Sequence, residues 1–120
     1  MIRVLIVDDQ SAVRKGLQMR LAAEPDMAVI DEATDGEVAL DLARAQCPDV
    51  VLMDVEMPRM DGIATASVLH AICPRTFIIM LSIHDDALTR ARAEEAGAAA
   101  FVAKSMPADT LLATIRQVAD

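Results

Sequence analysis

Acidic side chains stand directly after two short apolar runs of the chain. Residues 2–7 lead into Asp8 and Asp9, and residues 50–53 lead into Asp54. Runs this short and apolar are typical of strands buried on both faces of a sheet. If the two strands are parallel neighbours, three carboxylates converge at one sheet edge, and their mutual repulsion calls for a cation. Mg²⁺ suits such a cluster because it binds hard oxygen ligands and keeps several waters.

Two more polar side chains follow other apolar runs at the same position in the pattern. Ser82 closes the run 76–82, and Lys104 follows the run 99–103. A carboxylate can attack phosphorus and form an aspartyl-phosphate, which makes Asp54 the candidate nucleophile. Mg²⁺ and Lys104 would neutralise the phosphoryl oxygens, and the Ser82 hydroxyl could donate a hydrogen bond to one of them. The spacing therefore predicts phosphoryl chemistry at the carboxyl edge of a sheet.

The elements that must position these residues alternate along the whole chain. Strands are predicted over 2–8, 27–33, 50–54, 76–82 and 99–103, and helices over 11–24, 37–45, 63–72, 86–96 and 107–119. Five strand–helix units predict an α/β fold, a doubly wound five-stranded parallel sheet with helices on both faces. The second strand is the least apolar and is expected at an edge. At 120 residues the chain is predicted to form a single domain, residues 1–120.

Helical spacing also predicts which side chains face the sheet. The inward positions are Val13, Leu17 and Leu21 in the first helix, Val38, Leu42 and Ala45 in the second, Ile63, Ala66 and Leu69 in the third, and Leu111, Ile115 and Val118 in the last. Gly16 is expected to allow close packing of its helix on the sheet. Pro58 and Gly62 are expected to turn the loop after Asp54, and Gly97 to cap the fourth helix.

Composition disfavours several classes of partner. The formal net charge is −8, from 11 basic and 19 acidic residues, which disfavours nucleic acid and anionic membranes as direct partners. Two Phe and no Trp or Tyr give poor support for a stacked cofactor. No apolar run approaches the roughly 20 residues of a membrane span. With no signal peptide, the chain is expected in the cytoplasm, where Cys47 and Cys73 would stay reduced.

These motifs together resemble the receiver domain of two-component response regulators, over essentially all 120 residues. Each motif alone would be weak, but the combination is highly specific. The sequence around Ser82 is similar to the corresponding segment of regulators of the nitrate-response and nodulation type. Those regulators carry a helix-turn-helix domain after the receiver. The matching segments are Val7-Asp8-Asp9, residues 53–62, Leu81-Ser82 and Gly97-Ala98-Ala99-Ala100-Phe101-Val102-Ala103-Lys104.

The resemblance implies a flavodoxin-like (βα)5 fold with strand order 2-1-3-4-5. It implies that Asp54 accepts a phosphoryl group from a sensor histidine kinase, with Lys104 and Ser82 assisting. It also implies a Mg²⁺ site whose ligands are Asp9, Asp54 and the backbone carbonyl of Glu56, with Asp8 acting through water. Ser82 and Phe101 match the switch pair of the family.

The resemblance further implies a signalling phosphoacceptor rather than an enzyme, one that assists its own phosphorylation and dephosphorylation. Phosphorylation would switch the conformation and favour a homodimer. Transcription would then be controlled through a DNA-binding domain outside this chain, because this domain is not expected to bind DNA itself.

Two positions depart from the family pattern. Ala100 replaces the glycine common before the switch aromatic, and Ser105 replaces the proline often found after the lysine. A cis bond before a non-proline residue costs about 2.5–4 kcal/mol, which puts the family's cis peptide at Lys104-Ser105 in doubt. His84 is expected to be an exposed loop residue, the alternative being contact with the water that attacks the phosphorylated state.

Three rival interpretations share parts of this pattern. A phosphohydrolase of the haloacid dehalogenase type has a second acid two residues after its nucleophile, where Glu56 stands, but its nucleophile follows the first strand. A flavin mononucleotide binder needs a phosphate-cradling loop after that strand, where Asp8 and Asp9 would repel phosphate. A degenerate receiver that serves only for docking is disfavoured because the acids, Ser82 and Lys104 are all present.

Overall fold

The structure, a computed structural model, describes residues 1–57 and 60–120. Five strands alternate with five helices along the described chain. The predicted turn at Pro58 lies outside the described residues. The elements are β1 (Ile2–Val7), α1 (Ser11–Ala22), β2 (Met27–Ala33), α2 (Gly36–Gln46), β3 (Val50–Asp54), α3 (Gly62–Ile72), β4 (Phe77–Ser82), α4 (Ala87–Glu95), β5 (Ala100–Ala103) and α5 (Ala108–Ala119).

The five strands form one parallel sheet in the order β2-β1-β3-β4-β5, which confirms the predicted fold class and strand order. The register decides where the polar side chains fall. Val7 of β1 pairs with Met53 of β3, so Asp8 and Asp54 follow at the same level. Ser82 of β4 pairs with Ala103 of β5, so Lys104 follows one step beyond. The carboxyl ends of four strands therefore meet at one edge.

The sheet separates two apolar layers, as period-two alternation in a strand covered on both faces requires. Leu5, Met53 and Met80 point into the layer formed with α2, α3 and α4. Ile6 and Leu52 point into the layer formed with α1 and α5, and every residue of β3 is buried. The central strand is thus held on both faces, which fixes the position of Asp54 at its end.

Aspartates begin three of the helices through side-chain caps. The carboxylates of Asp35, Asp61 and Asp86 each accept a hydrogen bond from a backbone N–H in the following turn, at 2.8–2.9 Å. Such caps satisfy N–H groups that have no partner within the helix. At the other end of α4, Gly97 has φ +100°, a left-handed conformation that confirms the predicted glycine cap.

The predicted inward face of α2 was partly wrong. Val38 and Ala45 are exposed, whereas Ala39 and Ala43 are fully buried against the sheet. This helix carries apolar residues on more than one face, and the small alanines let its backbone approach the sheet while Leu42 packs from the side. Helix α1 also ends at Ala22 rather than residue 24, because Pro25 follows closely. The other predicted elements agree with the structure to within one residue at most ends.

Two glycines have opposite roles, and the predicted close packing at Gly16 was wrong. Gly16 is exposed, and a Cβ placed there would meet nothing within 4 Å. A Cβ on Gly62 would instead collide with the backbone carbonyl of Asp54. The absence of a side chain at Gly62 is what lets the start of α3 lie directly beside the end of β3.

We predict opposite effects for alanine at these two glycines. Gly62→Ala should lower the free energy of unfolding by about 1–3 kcal/mol, because the loop beside Asp54 must shift. Gly16→Ala should raise it by about 0.5–1 kcal/mol, because alanine loses less backbone entropy in a helix interior. Urea unfolding of both variants measures this, and a Gly62→Ala protein as stable as the Gly16→Ala protein would contradict the packing described.

Candidate functional site

The centre of the carboxyl edge is an ammonium group shared by two buried carboxylates. Lys104 Nζ lies 3.1 Å from Asp8 Oδ2 and 3.0 Å from Asp54 Oδ1. Asp8 and Asp54 are only 1% and 2% exposed, whereas the Lys104 side chain retains 20% exposure. The lysine stem therefore reaches inward from the loop after β5 and places its charge between the ends of β1 and β3.

Burial makes the charge on Asp54 costly. Desolvation raises the pKa of Asp54 to about 6; the ion pair with Lys104 opposes this shift, and the nearby Asp8 charge adds to it. For Lys104, desolvation alone would lower the pKa, but its contacts with Asp54 and Asp8 outweigh that and leave the pKa raised. Lys104 therefore stays protonated, and Asp54 is mostly ionised at neutral pH.

The loop after β1 brings the third carboxylate to the same place. Asp9 is exposed, and one carboxylate oxygen each from Asp8, Asp9 and Asp54 lie within 4.8 Å of one another. Asp8 is held in place because its Oδ1 accepts a hydrogen bond from the Gln10 N–H at 2.9 Å. Three carboxylates and one ammonium give this cluster a formal net charge of −2. Hard oxygen ligands with that charge fit a divalent cation such as Mg²⁺.

Ser82 at the end of β4 is fully buried, and its hydroxyl is already engaged. Ser82 Oγ donates to the Glu56 carboxylate, at 2.9 Å from Oε2 and 3.1 Å from Oε1. The Glu56 Oε1 atom also accepts from the Ile83 N–H at 3.2 Å, while the His84 N–H donates to Ser82 Oγ at 2.9 Å. The receiver resemblance assigned a role only to the backbone carbonyl of Glu56, and sequence reasoning missed this contact between the Glu56 and Ser82 side chains.

Phe101 on β5 is half-buried beneath an arginine of α4. The Arg90 Cζ atom lies 4.6 Å from the centroid of the Phe101 ring, a cation–π geometry. Arg90 is itself paired with Asp85 in the loop that precedes the helix. A chain of side chains thus connects the loop after Ser82 to the aromatic ring. The spacing of Asp85 and Arg90 at i and i+5 gave no signal for this arrangement.

The structure brings together the predicted residues of the carboxyl edge. Asp8, Asp9, Asp54 and Lys104 form one cluster, and Ser82 and Phe101 lie on the adjoining strands β4 and β5. The His84 side chain is exposed, and among the described residues its backbone N–H, not its ring, contacts Ser82. All peptide bonds in the described ranges are trans, including Lys104-Ser105.

Comparison with known proteins agrees with this geometry. A family model described as the response regulator receiver domain matches residues 4–116. The chain belongs to the response regulator receiver family. The receiver domain of the putative response regulator NarL from Mycobacterium tuberculosis superimposes with a TM-score of 0.93 at 32% identity, over 98% of this chain and 95% of that one. This family membership, and the likeness to a nitrate-response-type receiver, confirm the resemblance read from the motifs.

Curated relatives extend beyond the matched region. The transcriptional regulatory protein DegU of Brevibacillus brevis is 36% identical over 118 residues, which cover 98% of this chain and 50% of that protein. A protein-glutamate methylesterase/protein-glutamine glutaminase of Caldanaerobacter subterraneus subsp. tengcongensis is 42% identical over 120 residues, 99% of this chain and 32% of that protein. The chain thus spans half or less of the length of these relatives.

We predict that Mg²⁺ stabilises the fold through the carboxylate cluster. A ligand that binds only the folded state stabilises it by about 2.7 kcal/mol at a hundredfold excess over its Kd. Thermal unfolding with Mg²⁺ and with a chelator should show this shift in the wild type and lose most of it in Asp9→Ala. Asp41→Ala, which removes an exposed acid of α2 outside the cluster, should keep the full shift. An unchanged shift in Asp9→Ala would contradict the assignment.

Proposed function

We propose that this chain accepts a phosphoryl group on Asp54 from the phosphohistidine of a sensor kinase. The observation that carries the proposal is the Lys104 ammonium, which lies 3.0 Å from a buried carboxylate at the end of the central strand. An ionised, poorly solvated carboxylate beside a fixed cation is suited to attack phosphorus. Family membership supports the same assignment.

In the proposed reaction an Asp54 oxygen attacks phosphorus as the nitrogen–phosphorus bond of the donor breaks. The new oxygen–phosphorus bond forms the aspartyl-phosphate, and the bonding electron pair leaves with the imidazole nitrogen. Lys104 provides a fixed positive charge for the phosphoryl oxygens, and the Ser82 hydroxyl is a further donor to them. Mg²⁺, held by Asp9, Asp54 and the Glu56 backbone carbonyl with Asp8 acting through water, would supply additional charge neutralisation.

Phosphorylation would change the face formed by α4, β5 and α5. A phosphoryl group adds negative charge and acceptor oxygens beside Ser82. If Ser82 moves toward that group, space opens beside Phe101, whose ring is only half-buried. We propose that this switch promotes a homodimer in the cytoplasm. Control of transcription would follow through a DNA-binding domain outside this chain, as the match to a transcriptional regulatory protein suggests.

We also propose that the chain acts as a signalling phosphoacceptor and not as an enzyme in its own right. It would assist its own phosphorylation and dephosphorylation through Lys104 and Ser82. No helix in residues 1–57 and 60–120 has the length and apolarity that crossing a bilayer demands.

Acetyl phosphate and Mg²⁺ should add one phosphoryl group to the wild-type protein. Intact-mass spectrometry measures the addition, and hydroxylamine should remove it because an acyl phosphate is the product. Asp54→Asn keeps the shape of the side chain but lacks the attacking carboxylate oxygen, so it should gain no phosphoryl group. Asp41→Asn is the matched control and should label normally. Equal labelling of Asp54→Asn and wild type would show that Asp54 is not the acceptor.

Residues 1–120 alone should not bind DNA. Binding to DNA depends largely on Lys and Arg that neutralise phosphates, and here 19 acidic residues outnumber 11 basic ones. Helix α5 packs Leu111, Leu112 and Ile115 against the sheet, so that face cannot enter a groove. Titration of labelled duplex DNA at low salt should show no binding. Micromolar affinity that weakens steeply with added salt would contradict this proposal.

A further inference from the structure

The Glu56 carboxylate occupies hydrogen-bond donors that a phosphoryl group on Asp54 would use. Glu56 lies two residues after Asp54, in the loop that leaves β3. Its two carboxylate oxygens accept from Ser82 Oγ and from the adjacent Ile83 N–H. An anionic acceptor that binds a hydroxyl and a neighbouring backbone N–H is chemically similar to a phosphoryl oxygen at the same place.

The serine hydroxyl cannot serve both acceptors at once. A serine hydroxyl has one proton to donate, and Ser82 gives it to Glu56 while its lone pairs receive the His84 N–H. Ser82 is fully buried, so water does not readily replace a hydrogen-bond partner that its hydroxyl loses. Any hydrogen bond from Ser82 to a phosphoryl oxygen must therefore replace the bond to Glu56.

We propose that Glu56 is a positioning residue that holds Ser82 in the unphosphorylated state by competing with the phosphoryl group for its hydroxyl. This inference rests on the proposed phosphorylation of Asp54 and adds a determinant of the switch. The Glu56 side chain is an internal anion that the phosphoryl group displaces. The strength of this one contact then sets how readily the unphosphorylated chain adopts the phosphorylated conformation.

The test uses beryllium fluoride with Mg²⁺ as a phosphoryl analogue and five proteins: wild type, Glu56→Ala, Ser82→Ala, the double variant and Glu56→Gln. Removal of Glu56 should tighten the apparent affinity for the analogue roughly fivefold, the size of one net hydrogen bond. Loss of a negative charge near the analogue could also tighten binding. The Ser82→Ala background separates the two effects, because competition needs the hydroxyl and charge repulsion does not.

Under competition, the gain from Glu56→Ala should largely vanish when Ser82 is already alanine. Glu56→Gln, which is neutral but retains an amide oxygen as acceptor, should give an affinity between those of wild type and Glu56→Ala. If Glu56→Ala raised the affinity for the analogue equally with serine and with alanine at position 82, charge alone would explain the gain. That result would overturn the proposed competition. An affinity for Glu56→Gln equal to that of Glu56→Ala would overturn it as well.

Amide exchange of Ile83, measured without the analogue, tests the contact independently of phosphoryl chemistry. The Ile83 N–H should exchange roughly tenfold faster in Glu56→Ala than in wild type, because its acceptor has been removed. No change would overturn the inference even if Asp54 is phosphorylated normally. A wild-type protein that protects Ile83 but binds no analogue would instead overturn the proposed function, and the competition with it.

Discussion

One ammonium group between two buried carboxylates is the constraint on which the site depends. Lys104 Nζ lies within 3.1 Å of both Asp8 and Asp54, each almost fully buried. Removing one partner from a buried ion pair typically costs about 3–5 kcal/mol, because the remaining charge is left without compensation. Lys104 thus places a compensating positive charge beside both carboxylates, whereas burial is what leaves Asp54 poorly solvated.

The parallel arrangement and the register of the strands make this contact possible. Parallel strands place their carboxyl ends at one edge, and the pairing of Val7 with Met53 and of Ser82 with Ala103 sets the level of each polar residue. If either pairing slipped by one residue, a carboxylate or the Ser82 hydroxyl would point towards one of the apolar layers. Gly62 completes the arrangement, because any side chain there would displace the backbone of Asp54.

A second set of contacts links the site to the surface. Ser82 donates a hydrogen bond to Glu56. In the loop after Ser82, Asp85 pairs with Arg90, and Arg90 lies over the Phe101 ring. These contacts are hydrogen bonds and ion pairs at the margin of the core, so their rearrangement leaves the two apolar layers intact. Under the proposed function, a change in charge at Asp54 would therefore alter one face without unfolding the domain.

Much of this was predictable from the sequence, because strand positions and strand-end residues follow from short apolar runs. Strand order and the grouping of Asp8, Asp9, Asp54 and Lys104 were confirmed. The face of α2 was not predictable, because Val38 and Ala39 both fit a helical apolar pattern and only packing against the sheet decides between them. The side-chain contact of Glu56 with Ser82 was not predictable for a similar reason, because it depends on the rotamers of two residues that lie 26 positions apart in the chain.

The pKa of Asp54, measured by carbon-13 NMR titration of its carboxyl group in metal-free protein, tests the central claim most directly. We predict a pKa of about 6, because burial penalises the charged form more than Lys104 restores it. In Lys104→Met, where the compensating charge is gone, the pKa should rise further. A value near the ordinary aspartate pKa in the wild type, unchanged in Lys104→Met, would contradict the buried, lysine-balanced site described above.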